Sequence, residues 1–66
     1  MNDSLKKGDL VELRIGIPIG SAYCRPGLYG VVISREEMYV YLVLLGGRQV
    51  LCYDHELELV TEYESM

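Results

Sequence analysis

The chain has 66 residues, half of them apolar and 24% charged, with a formal charge of −4 from ten acidic and six basic side chains. That length suits one domain, and at this size folding buries only about 60% of the surface that the extended chain exposes. The composition excludes a disordered chain. The acidic balance disfavours a phosphate backbone as partner unless the cations gather on one side, and no run approaches the roughly 18 apolar residues of a membrane span.

In chain order, Met1 to Gly8 is polar and lacks the apolar segment of a signal peptide, so a cytoplasmic protein is expected. Val11, Leu13, Ile15, Ile17 and Ile19 then alternate with a strict period of two, which predicts a strand. Pro18 interrupts this run and belongs at an edge or a bend. Gly20 to Gly27 reads as a loop, with Pro26-Gly27 as its turn. Leu28 to Ser34 is a second strand, Arg35-Glu36-Glu37 its connection, and Met38 to Leu45 a third.

Gly46-Gly47 is the strongest turn signal, because a two-residue type I′ hairpin needs positive φ at both central positions. A fourth strand follows over Arg48 to Tyr53. Asp54-His55-Glu56-Leu57 predicts one helical turn capped by Asp54, before a short last strand around Glu58 to Thr61. Residues 1–66 therefore form a single all-β domain, with 1–6 and 62–66 expected to fray.

The turns imply a register. Gly46-Gly47 places Leu45 opposite Arg48, Val43 opposite Val50, Leu42 opposite Leu51 and Tyr41 opposite Cys52. A three-residue connection at Arg35 to Glu37 places Ile33 opposite Tyr39, Val31 opposite Tyr41 and Tyr29 opposite Val43. Side chains alternate between faces, so two sets follow. Gly30, Val32, Val40, Leu42, Leu44, Leu51 and Tyr53 form one, expected inside with Val11, Leu13, Leu57 and Leu59. Tyr29, Val31, Ile33, Tyr39, Tyr41, Val43, Val50 and Cys52 form the other, expected outside. Both sets are apolar, and a chain this small encloses only one, so the second is expected to meet a partner. The alternative is that the Ile15 to Ile19 segment and the C-terminal tail fold over it.

Lys7-Gly8-Asp9-Leu10-Val11-Glu12-Leu13, Gly27-Leu28-Tyr29-Gly30-Val31-Val32-Ile33 and Asp54-His55-Glu56-Leu57-Glu58-Leu59-Val60 together resemble the short SH3-like small-barrel proteins of bacteria and their phages. The resemblance implies a five-stranded SH3-like barrel with one short helical turn before the last strand. In a phage setting it would also imply a host protein as the target. The Gly27-x-x-Gly30-x-Val32 stretch is similar to the KOW motif, whose proteins bind RNA or protein. The aromatic signature and groove tryptophan of eukaryotic SH3 domains are missing from this sequence.

Candidate chemistry is sparse. Cys52, Asp54 and His55 lie close in sequence, with Cys24 as the only further ligand for a metal, and zinc needs four. A thiolate nucleophile would need His55 held against Cys52, whereas the register points Cys52 outward and leaves His55 past the strand end. The two cysteines are expected as free thiols, a disulfide between them being the alternative in an oxidising compartment. Glu36-Glu37 reads as a solvated hairpin tip, and the glycine spacings match no phosphate-binding loop. Neither a metal nor a cofactor is implied, and an enzyme is not expected.

The expected function is a protein-interaction module, self-associating as a homo-oligomer or docking on a larger protein. Its contact residues would be Tyr29, Val31, Ile33, Tyr39, Tyr41, Val43 and Val50, since tyrosines amid aliphatics make up interface cores. The second expectation is a KOW-like RNA, single-stranded DNA or ribosome-associated binder, in which Tyr29, Tyr39 and Tyr41 would stack bases beside Arg35 and Arg48.

Overall fold

A computed structural model describes residues 5–60. Its strands are β1 (Leu10–Leu13), β2 (Ile17–Ile19), β3 (Ala22–Cys24), β4 (Tyr29–Glu37), β5 (Val40–Leu45), β6 (Arg48–Tyr53) and β7 (Leu57–Leu59), with a 3-10 turn at Asp54–Glu56 before the last. The chain is all-β, as its alternation implies. Among the described residues no helix is long and apolar enough to cross a membrane. The expected fraying of 1–4 and 62–66 lies outside the described residues. Leu5, also assigned to that frayed end, is buried in the core.

Five strands form one antiparallel sheet in the order β6-β5-β4-β1-β7, and β2 and β3 form a separate hairpin. Among the described residues seven strands thus replace the expected five, for two local reasons. Arg14 to Gly16 breaks the long alternating run, so Ile17–Ile19 leaves the main sheet. Gly20, at φ 58°, then turns the chain back, and Ala22–Cys24 pairs with β2 where a plain loop was expected. Pro18 is tolerated because its hairpin has only two strands, both of them edges. The main sheet is open: β6 and β7 end it and are not paired with each other.

The Gly46-Gly47 turn forms as its glycines require, with φ of 54° and 82°, and the whole β5–β6 register matches expectation. The β4–β5 connection does not. Glu37 pairs with Val40, so the turn is Met38-Tyr39, and the ladder shifts between Val32 and Ser34 and again between Arg35 and Glu37. Among the described residues no non-glycine residue has positive φ, and Ser34 to Tyr39 contains no glycine to supply a primed turn. An ordinary turn splays its strands, and the β-bulges restore the twist.

The turn at Met38-Tyr39 moves the register five positions beyond the expected one and the two bulges take back two, so the place of the turn, and not the bulges, decides the faces. Val31 stands opposite Leu44, three positions beyond the expected Tyr41. A shift by an odd number moves every side chain of the partner strand to the other face. Tyr41, Val43, Val50 and Cys52, expected outside, are therefore core residues, together with Val11, Leu13, Val32, Leu45 and Leu57. Val40, Leu42, Leu44, Leu51 and Tyr53, expected inside, lie on the opposite side. The β2–β3 hairpin packs on the core through Cys24, Ile17 and Ile19; of the alternative reading, Ile17 and Ile19 do lie over this face, Ile15 is exposed, and the tail beyond Val60 lies outside the described residues. The Tyr41 hydroxyl is buried without a hydrogen-bond partner among the described residues, a desolvation cost that the apolar contacts of its ring must outweigh.

The ends of the sheet are tied by backbone bonds. Gly8 N–H donates to Val32 O at 2.8 Å and Val32 N–H to Asp9 O at 2.9 Å, extending the β1–β4 pairing. Arg14 N–H donates to Glu56 O at 2.8 Å and Val60 N–H to Leu10 O at 2.9 Å, holding β7 against β1. Tyr53 N–H donates to the Glu56 carboxylate at 2.8 Å, so Glu56, and not Asp54, caps the 3-10 turn.

Candidate interaction surface

Because β4, β5 and β6 bury one face, their other face is left in water, and the alternation of the sequence makes it apolar as well. Leu51 is 59% exposed, Tyr53 54%, Leu44 42%, Val31 40% and Tyr29 58%. Cross-strand pairs arrange them. Leu44 lies between Val31 and Gln49, Leu42 beside Leu51, and Val40 beside Tyr53. Leu10 continues the Val31 row onto β1. The exposed apolar area is on the order of 500 Å², as large as the biggest patches of ordinary monomers. At one margin the Tyr53 and His55 rings stack with centroids 5.7 Å apart.

The expected contact residues divide between two environments. Tyr29 and Val31 lie on this outer face, Ile33 is half-buried at the first bulge, and Tyr39 is exposed in the turn between β4 and β5. Tyr41, Val43 and Val50 are withdrawn into the core and are not available to a partner in the folded chain. Leu44, Leu51 and Tyr53 take their place. No glycine, proline, asparagine or aspartate in Ser34 to Tyr39 marks Met38-Tyr39 as the reversal, so the sequence carries no local signal for them.

Acidic side chains border the apolar field. On the row next to Val31, Tyr29 stands opposite Glu12, and Glu12 opposite Glu58. These two glutamates line a shallow groove with Leu13, Arg14, Pro26 and Gly27. At the diagonal corner Glu37 stands opposite Val40, and the Ser34 hydroxyl donates to the Glu36 carboxylate.

Cys52 is buried, with its thiol directed to Val50 O at 3.9 Å. Burial, then the nearby Glu56 carboxylate and Cys24, push its pKa from about 9 up to about 12. His55 is exposed and stacks on the Tyr53 ring. Among the described residues no three metal-ligating side chains come together. Both cysteines are free and buried, so neither is expected to react with a thiol reagent at pH 8 until denaturant is added; prompt modification of the native chain would contradict this burial. Stability should fall as pH rises from about 9 toward 12, because over that range the unfolded Cys52 thiol ionises and the folded one stays protonated.

Comparison with protein-family models, with curated proteins and with solved structures returned no match.

Proposed function

We propose that the chain is a non-enzymatic protein-interaction module that works through the outer face of β4–β6. One observation carries this reading: Val31, Leu44, Leu51 and Tyr53 form a continuous exposed apolar field on a sheet whose other face is already sealed. Leaving that field in water gains nothing for the isolated domain, whereas covering it releases about 25 cal/mol per Å² of apolar surface.

An SH3-like small barrel is the proposed scaffold, with the main sheet left open, and strand order supports it. The first strand sits between the three-strand meander and the last strand, and a 3-10 turn precedes that last strand. The KOW-like reading has less support. Arg35 and Arg48 stand opposite Tyr41 and Leu45, on the core side at opposite ends of the meander, so no cation of these strands joins the tyrosines of the outer face.

The test is the double substitution Leu44→Ser with Leu51→Ser. Leu51 is 59% and Leu44 42% exposed, so the fold should survive with a loss on the order of 1 kcal/mol. Higher-order species in light scattering, or proteins cross-linked to the wild-type chain, should be lost. Undiminished association by a folded double variant would refute the proposed surface.

A further inference from the structure

The charges around the outer face discriminate between occupants, and we infer that it docks a protein segment whose apolar side is flanked by lysine or arginine, and not a second copy of this chain. This rests on reading the outer face as an interaction surface. Register places Glu12, Glu58 and Glu37 on that side, and Glu36 joins them through Ser34. Against them stands Arg14, two residues beyond Glu12 on the same side and in the same groove. The remaining cations are elsewhere: Arg35 and Arg48 on the core side, and Lys6, Lys7 and Arg25 in the segments before β1 and β4.

Two consequences favour a basic partner. Glu12 and Glu58 are directly opposed across β1 and β7, a like-charge pair that disfavours the free sheet. A cation laid over them would relieve that repulsion and would also reach the exposed Tyr29 ring, the next side chain in the row. A second copy brings the same surplus of carboxylates, on a chain of net charge −4, so self-pairing leaves the acids unmatched. The exposed field itself is smaller than the roughly 800 Å² a side of a stable interface, so the charged rim has to belong to the contact.

Two synthetic amphipathic helices with one identical leucine face test this, one carrying arginine and the other glutamate on the polar face, titrated into the isotopically labelled chain. The arginine peptide should shift the amides of Val31, Leu44, Leu51 and Tyr53 and bind at least about tenfold more tightly than its acidic twin. Glu12→Gln with Glu58→Gln should weaken it roughly fivefold without altering the fold, and Leu44→Ser with Leu51→Ser should remove the shifts. Equal binding of the two peptides, or shifts confined to other residues, overturns the inference. A dimer that is lost in the Leu44/Leu51 variant overturns it too, while leaving the outer face as the interaction surface. If neither peptide nor a second copy engages this face, the interaction reading fails with it.

Discussion

Replacing Gly30 with alanine should leave the chain largely unfolded at room temperature. A Cβ at this position would lie 2.5 Å from Leu44 O, 2.6 Å from Leu45 Cδ2 and 3.0 Å from Val43 Cγ1. The first of these is a backbone atom of the neighbouring strand and cannot swing away. Relief requires β4 to move off β5 at the point where Gly30 faces Leu45. Overpacking of this kind costs about 1–3 kcal/mol, and each ladder bond stretched in response adds about 1 kcal/mol. A domain of this size holds only about 3–5 kcal/mol in total. Urea titration followed by circular dichroism reads the effect, and a midpoint equal to that of the wild type would contradict the close approach.

The second large effect separates two neighbours. Val43→Glu should prevent folding, whereas Leu44→Glu should be tolerated. Val43 is fully buried between strands β4 and β6, facing Val32 and Val50, and among the described residues no buried cation is there to pair with a carboxylate. Burying it unpaired costs several kcal/mol even after the group takes up a proton, again comparable to the whole stability of the domain. Leu44 points to water on the other face, so the charge stays hydrated and the cost remains within about 1 kcal/mol. Thermal unfolding of the two variants provides the comparison. Similar melting curves would mean that the two faces are assigned wrongly.

Much of the fold was legible in the residues. Gly46-Gly47 dictated its turn and, through it, every pair from Val40–Tyr53 to Leu45–Arg48. Alternation at Val11 and Leu13 identified β1, and the charged Asp54-His55-Glu56 run marked the 3-10 turn before the last strand. Where the sequence misled, the reason is local. Arg35-Glu36-Glu37 is polar and resembles a connection, yet it continues β4, because the chain has no residue suited to a primed turn there and bulges instead. Polarity marks exposure more reliably than it marks a turn. The short β3 strand was hidden for a different reason, since three residues flanked by Gly20 and Pro26 carry no measurable period.

The candidate site was legible only in part. That β4–β6 would be apolar on both faces, with room for one in the core, followed from composition and strand count alone. Which face remained outside depended on where β4 turns into β5, and an error of three positions exchanged Tyr41, Val43 and Val50 for Leu44, Leu51 and Tyr53. Tyr29 and Val31 escaped this exchange because they lie on β4, whereas the shift moves its partner β5 and, with it, β6. The acidic border was harder to foresee. Glu12 and Glu58 become neighbours only through the β1–β7 pairing, which joins residues far apart in sequence.

Hydroxyl-radical footprinting of the native chain at low concentration tests most directly the claim that one apolar face is sealed and the other left in water. Tyr53, Leu51 and Leu44 should be oxidised at rates close to those of the unfolded chain, while Tyr41 and Val43 stay protected. Oxidation of Tyr41 as fast as that of Tyr53 would contradict the account.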